Sequence, residues 1–408
     1  MRILHTSDWH LGQFFINKSR GPEHQKFIQW LLEQVEVHKI DTVIIAGDIF
    51  DTGSPPSYAR ELYNQFVIGM HKLNCQLIIL AGNHDSVSML NESKNILAQL
   101  NTHVISAANP NSDEQIITLY DRSGEVGAIL CAIPYIRPRD LLKSQAGESG
   151  SDKQKALGKA ITDYYRYVYD LAVMKCSELA KPVAIIATGH LTALGVELSE
   201  SVRDIYIGSL EAFPASSFPP ADYIALGHIH RSQVVAKSEH IRYSGSPIPL
   251  SFDELSSPKQ VLIAEFCNAA LEKVTALDVP VFQKMKVIKG DLASIEEQLS
   301  QLDTEEDGQV VWLSIEVETQ DYLTDLQNRM QNLTQDMNVE VLQLRRARKQ
   351  LQQQIERIDK EILAELVPND VFERRLEQEE FITIEDKKRK ERLRILFNQT
   401  LLQVKDEN

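Results

Sequence analysis

Apolar runs along the first part of the chain stop abruptly, and they stop at a narrow set of polar residues. The opening MRILHTSDWHLG begins like a buried strand (Ile3, Leu4) and ends in Asp8 and His10. TVIIAGDIFD, residues 42–51, runs into Gly47 and Asp48, and QLIILAGNHD, residues 76–85, runs into Gly82, Asn83 and His84. PVAIIATGHL, residues 182–191, ends in Gly189 and His190; YIALGHIH, residues 223–230, ends in Gly227, His228 and His230. Short apolar runs bounded by turn signals predict strands covered on both faces. Amphipathic stretches alternate with them. Residues 23–37 set Phe27, Trp30, Leu31 and Val35 on one face, and residues 57–71 do the same with Leu62, Phe66 and Met70. Further on, AILCAIPYI, HIRYSGSPI and QVLIAEF read as shorter strands for which antiparallel pairing is expected. Residues 1–277 are thus expected to form a layered α/β sandwich with helices outside the sheets.

The pattern changes near Val279 and Pro280. Strands are expected from Lys284 to Val287 and in VVWLSIEV, residues 310–317, where Val311, Leu313, Ile315 and Val317 alternate. Between them Asp291 can cap a helix carrying Leu292, Ile295 and Leu299. Thr319 can cap another carrying Tyr322, Leu326, Met330 and Leu333, before a third strand at Val339–Leu344. This β-α-β-α-β unit makes residues 278–344 a small α+β domain. Residues 345–408 read as a helical tail, nearly neutral with fifteen basic and fourteen acidic side chains. Within it Leu393, Leu396, Phe397, Leu401 and Val404 recur at helical spacing. An apolar stripe behind a charged connector is expected to dock on a partner in the manner of a helix in a groove.

Composition narrows the class. At 408 residues two or three domains are expected, and 43% hydrophobic with 25% charged residues is ordinary for a water-soluble protein. Cys75, Cys131, Cys176 and Cys267 are scattered without CxxC spacing and read as reduced core thiols of a cytoplasmic protein. Neither a leader peptide nor an apolar run long enough to span a membrane is expected. The net charge of −15 argues against a broad electrostatic grip on nucleic acid by this chain alone. Metal ions or a basic partner would have to supply the positive field.

The run ends suggest which. Strand termini converge on one sheet edge in open α/β folds. A glycine just before the polar residue lets the backbone turn and approach closely. Asp, Asn and His form a mixed oxygen and nitrogen set suited to manganese, iron or zinc. Asp48 is the natural bridge between two ions. Asp8, His10 and one of the paired histidines would complete one shell; Asn83, His190 and the other would complete the second. Such a pair acidifies a shared water and clamps a phosphate ester for in-line attack by hydroxide. His84, next to Asn83, can protonate the leaving oxygen or, alternatively, orient Asn83 or Asp48.

The motif order DxH, GDxxD, GNHD, GH, GHxH resembles that of the calcineurin-like metallophosphoesterases. The stretches TSDWHLG, GDIFDTGSPPSYARELYNQF, LAGNHDS, ATGHLT, VRDIYIGSLEAFP and ALGHIHRSQ are similar to the SbcD family of nuclease subunits, and the likeness extends to the small domain and tail. The resemblance implies a manganese-dependent nuclease acting on double-strand DNA ends and hairpins in repair and recombination. It assigns one metal to Asp8, His10, Asp48 and His230, the other to Asp48, Asn83, His190 and His228, and catalysis to His84. It also implies a capping role for the small domain, and a homodimer within a heterotetramer containing an SbcC ATPase held by the tail. ATP would act only through that partner, since no GxxxxGKS/T loop is present. Archaeal and eukaryotic relatives have a histidine where this chain has Asp51, which leaves Asp51 as a supporting acceptor. Protein phosphatases of the superfamily carry an arginine where this chain has Thr52, which favours a phosphodiester substrate. Arg137, Arg139 and Arg203 are candidates for DNA phosphate contact or for structural pairing. Residues 57–71 and those after Asp85 are candidates for the dimer interface.

Overall fold

The structure, a computed structural model, describes residues 1–109, 113–142, 150–193, 195–197, 199, 201–202, 212–302, 308–318 and 323–346, and in the tail 390, 392–394, 396 and 397. Met1–Ala347 form one unit and Arg348–Asn408 another.

Burial on both faces accounts for the uninterrupted apolar runs. Two six-stranded sheets lie face to face. The first runs Ala270–Asp278, Gln260–Cys267, Arg2–Thr6, Thr42–Ala46, Gln76–Leu80, Thr102–Ile105. The second runs Gln233–Val235, Ser238–Tyr243, Tyr223–Gly227, Ala184–His190, Val126–Cys131, Ile116–Tyr120. Alternate residues of each strand serve different cores. In the first sheet Ile3, Ile44 and Ile78 turn inward to meet Ala128, Ile186 and Tyr223 of the second. Leu4, Val43 and Leu77 turn outward under helices Gly21–Val37 and Ser57–Lys72. Leu157, Ile161, Tyr165 and Val168 of helix Gly150–Ser177 cover the outer face of the second sheet. The result is a four-layered sandwich.

His5 is a polar residue within the inner layer. Its Nδ1 lies 2.9 Å from the Tyr223 hydroxyl and its Nε2 3.1 Å from the Leu226 carbonyl, bridging the sheets. A carbonyl only accepts, so the neutral ring carries its proton on Nε2 and takes the hydroxyl hydrogen on Nδ1. Burial lowers its pKa to about 3, and the Leu226 bond opposes this only in part.

The expected antiparallel pairing of the later strands holds fully only for Gln260–Cys267. Val126–Cys131 pairs antiparallel on one side and parallel with Ala184–His190 on the other. Ser238–Tyr243 likewise lies parallel to Tyr223–Gly227. For Val126–Cys131 the reason is topological: helix Gly150–Ser177 returns the chain so that Ala184–His190 runs beside it in the same direction, which local patterning does not reveal. Cys75 and Cys131 are buried, but Cys176 is half-buried and Cys267 exposed, so the last two are not core thiols.

Three parallel strands, Met285–Gly290, Val311–Val317 and Val339–Arg346, form a smaller sheet. Asp291 caps helix Leu292–Ser300, accepting from Ser294 N at 2.9 Å. Ile295, Leu299, Leu326 and Met330 cover one face. On the other, Trp312, Met285, Val287 and Leu342 pack on Phe15, Phe252 and Leu255. Thr319 and Tyr322 lie outside the described residues, as does Arg203. In the tail, 390, 392–394, 396 and 397 are helical; Leu393 and Leu396 are exposed, Phe397 is half-buried, and Leu401 is outside the described residues. Among the described residues no helix is long and apolar enough to cross a membrane.

Candidate metal centre

The five strands that end in polar residues deliver them to one place. Asp8 and His10 leave the first strand beside Asp48. The backbone zips these turns together: Asp8 N, His10 N and Leu11 N donate to the carbonyls of Gly47, Asp48 and Ile49 at 3.0, 3.1 and 2.9 Å. Asp8, His10, Asp48 and His228 all adopt left-handed backbone, with φ of 55°, 47°, 50° and 93°. Such conformations cost of order 1 kcal/mol or more each and persist where surroundings fix them. Gly47, at φ 97°, could not be replaced without loss: a Cβ there would sit 2.1 Å from His190 Nδ1. At Gly227 a Cβ would lie 1.9 Å from the Ala46 carbonyl oxygen. Here the glycines permit close approach of the two sheets as well as a turn.

All seven candidate ligands converge. Asp8, His10 and His230 offer atoms within 4.8 Å of one another, as do Asp48, His190 and His228; a third such group is His10, Asp48 and His84. Asn83 joins through its Oδ1, 2.9 Å from His190 Nε2. Asp48 is central, with Oδ2 3.2 Å from His190 Nε2 and 3.6 Å from His10 Nε2. Its Oδ1 accepts from His84 N at 2.9 Å. Three of the histidines are held from the far side. His190 Nδ1 donates to the Ala46 carbonyl at 2.9 Å, and His10 Nδ1 lies 3.1 Å from Asp51 Oδ1. His230 Nδ1 lies 3.2 Å from Glu254 Oε1 and 2.6 Å from Ser201 Oγ. Metal-ligating histidines are held this way in general.

The field favours a cation. Burial opposes charge on His10, yet the Asp51 bond and the Asp48 and Asp8 carboxylates outweigh it and raise its pKa. His190 is pushed to about 9 against the same burial, chiefly by Asp48. Burial would also raise Asp48, but His190 and then His10 hold it well below the usual carboxylate range. His228 goes the other way, lowered well below normal by burial and then by His190. His10 Nε2 and His228 Nε2 are buried without a hydrogen-bond partner. Orphaned ring nitrogens beside buried carboxylates fit divalent cations with oxygen and nitrogen ligands.

Some supporting residues are not assigned a role by the sequence, although Asp85 closes the GNHD motif. Asp85 accepts from Ile49 N, Phe50 N and Gly82 N at 3.2, 3.0 and 2.8 Å, fixing two of the turns. Burial, then Asp48, raises its pKa to about 6. Glu254 is buried against Lys259 Nζ at 2.5 Å; burial disfavours its charge, but Lys259 and then His230 hold its pKa well below normal. Glu254 falls outside every ligand motif, so only the folded chain places it. Arg137 donates to the carbonyls of Asp85 and Ser106 at 3.1 and 3.5 Å and lies over the Tyr135 ring. Its partners are backbone oxygens and an aromatic face.

The family model described as calcineurin-like phosphoesterase matches residues 1–232. A relative from Escherichia coli, named as the SbcD component of the nuclease SbcCD, is 53% identical over 401 residues, covering 98% of each chain. The chain belongs to the calcineurin-like phosphoesterases, in their SbcD family. This phosphoesterase also matches, over residues 281–380, a model described as type 5 capsule protein repressor C-terminal domain. A relative of the same name from Rhodobacter capsulatus is 34% identical over 291 residues, covering 69% of this chain and 70% of its own. One from Bacillus subtilis is 30% identical over 329 residues, covering 79% and 81%. Membership makes the chain a hydrolase of phosphodiester bonds with a candidate metal site of histidine and aspartate residues.

Proposed function

We propose that this phosphoesterase is the nuclease subunit of an SbcC-partnered complex, cutting DNA ends and hairpins in the cytoplasm during repair, recombination and replication. The observation that carries this reading is the buried Asp48 carboxylate, flanked by His10 and His190 at 3.6 and 3.2 Å. In a chain that is 53% identical to a named nuclease subunit, that geometry suits a bridge between two cations. One site is Asp8, His10, Asp48 and His230; the other is Asp48, Asn83, His190 and His228. Two divalent ions, manganese in this proposal, would supply Lewis acidity to the phosphoryl oxygens and to the attacking water.

The chain's own residues do the rest. Asp8 is fixed by the His228 N–H at 2.9 Å. His84 donates from Nδ1 to the Asp51 carbonyl at 2.7 Å, which fixes the ring, and the protonated imidazolium gives its Nε2 proton to the leaving oxygen. Asp51 orients His10 through its side chain and His84 through its backbone. The working division is nuclease domain 1–277, capping domain 278–344 and tail 345–408, with strand Ala270–Asp278 running one residue past the first boundary and strand Val339–Arg346 two residues past the second. The tail's Leu393, Leu396, Phe397 and Leu401 hold SbcC, and the assembly is a heterotetramer built on a homodimer of this chain.

The test uses purified protein with SbcC, ATP and manganese, on a hairpin-ended duplex and on a generic phosphomonoester. Hairpin cleavage that a chelator stops and His84→Gln loses is the expected result. Turnover of the phosphomonoester with DNA untouched would move the protein to the phosphomonoesterase branch.

A further inference from the structure

Candidate ligand His230 is gripped twice by one buried ion pair. Glu254 Oε1 approaches its Nδ1 at 3.2 Å, and Lys259 Nζ donates to its carbonyl at 3.0 Å. The pair is itself tied down. Lys259 Nζ reaches Glu254 Oε2 at 2.5 Å and Ser246 Oγ at 2.8 Å, while Glu254 also accepts from Leu250 N and Ser199 Oγ, each at 3.0 Å. A carboxylate on Nδ1 fixes the ring and turns Nε2 toward Asp8 and His10.

The residues flanking Glu254 face elsewhere. Glu254 sits on a single 3-10 turn, Phe252–Ser256, whose Phe252 and Leu255 pack against Trp312, Met285, Val287 and Leu342 of the small parallel sheet. Phe15 completes the joint: its ring stacks on Trp312 with centroids 6.0 Å apart and meets Phe252 edge-on at 5.1 Å. Buried Arg20 covers both Phe15 and Trp312, at 5.1 and 5.8 Å, and donates to the Pro249 carbonyl at 2.7 Å. One short turn thus touches the small sheet with its apolar side chains and a candidate ligand with its acid. The other half of the centre is built differently, since His190 is oriented by the Ala46 carbonyl inside the sandwich.

We propose that Glu254 is a positioning residue for His230, beside Ser201 Oγ on the same nitrogen at 2.6 Å, and that the turn carrying Glu254 couples the seating of the small sheet on Phe15 and Phe252 to the affinity of the Asp8–His10–His230 half-site alone. This rests on the two-metal reading above. Unseating Trp312 would shift the turn, loosen Glu254 and weaken one ion while the other stays.

The test measures manganese binding to the full chain by titration calorimetry and by the electron paramagnetic resonance of free manganese, with circular dichroism as the check on folding. The wild type is expected to bind two ions. Glu254→Gln should weaken one site by about 10–100-fold and leave the other unchanged. Trp312→Ala, in the small sheet, should weaken the same site, and the double variant should lose no more than Glu254→Gln does. General destabilisation would weaken both sites together. If Glu254→Gln does not fold, Trp312→Ala decides. Two wild-type-like sites in either folded variant, or equal weakening of both, would overturn the coupling while leaving the two-metal reading intact. A wild type that binds no manganese would instead remove that reading itself.

Discussion

Asp8, His10, Asp48, Asn83, His190, His228 and His230 were legible because each ends an apolar run, and a buried strand has few reasons to end in a bare ligand. The left-handed backbone of Asp8, His10, Asp48 and His228 and the packing of Gly47 against His190 were not legible, since they depend on the second sheet. Glu254 was invisible for the same reason. Asp48→Ala should keep the fold and lower metal-dependent cleavage by about a thousandfold or more, as expected where a site's central charge is removed. Near-normal cleavage in a hairpin assay would end its assignment as the bridge. His5 makes a pH prediction. Its folded pKa of about 3 lies below the ordinary 6.5, so above pH 6.5 it is neutral in both states and contributes no slope. As pH falls below 6.5 the unfolded chain takes up a proton that the folded chain refuses, and stability drops by about 1.4 kcal/mol per pH unit from this group. Urea melts of His5→Leu should lack that part of the slope between pH 6.5 and about 3; parallel slopes in both proteins would show that His5 is not held neutral.

Strand identity was easier to read than strand partnership. Period and apolar content named eight of the twelve sandwich strands and the cap at Asp291 but missed Thr102–Ile105, Ile116–Tyr120, Gln233–Val235 and Ala270–Asp278, whereas pairing direction depends on connections such as helix Gly150–Ser177. Leu157, Ile161, Tyr165, Val168 and Ala172 mark the buried face of that helix. It shields the second sheet, so its packing should be costly to disturb. Ile161→Ala, at a position with no exposure, is expected to cost about 2–5 kcal/mol, against about 0.5 kcal/mol or less for Tyr167→Ala on the exposed face. Chemical denaturation of the two variants makes the comparison; equal losses would mean that the helix does not pack as described.

Two units and a charge of −15 set the terms on which the protein meets others. A chain so acidic has little to offer a DNA backbone without cations or a basic partner. Removal of residues 348–408 should release SbcC in a pull-down and leave manganese binding as in the full chain; retained capture would relocate the docking surface. The convergence of strand ends has a consequence outside catalysis. Asp8, His10, Asp48 and Asn83 follow strands of the first sheet, while His190, His228 and His230 belong to the second. Bound ions would therefore rivet together two halves of the sandwich that are distant in sequence. Each ion at a hundred times its dissociation constant would add about 2.7 kcal/mol to the folded state. The unfolding temperature should then climb with free manganese and fall with chelator, so the apo protein would be the form that proteases clear first.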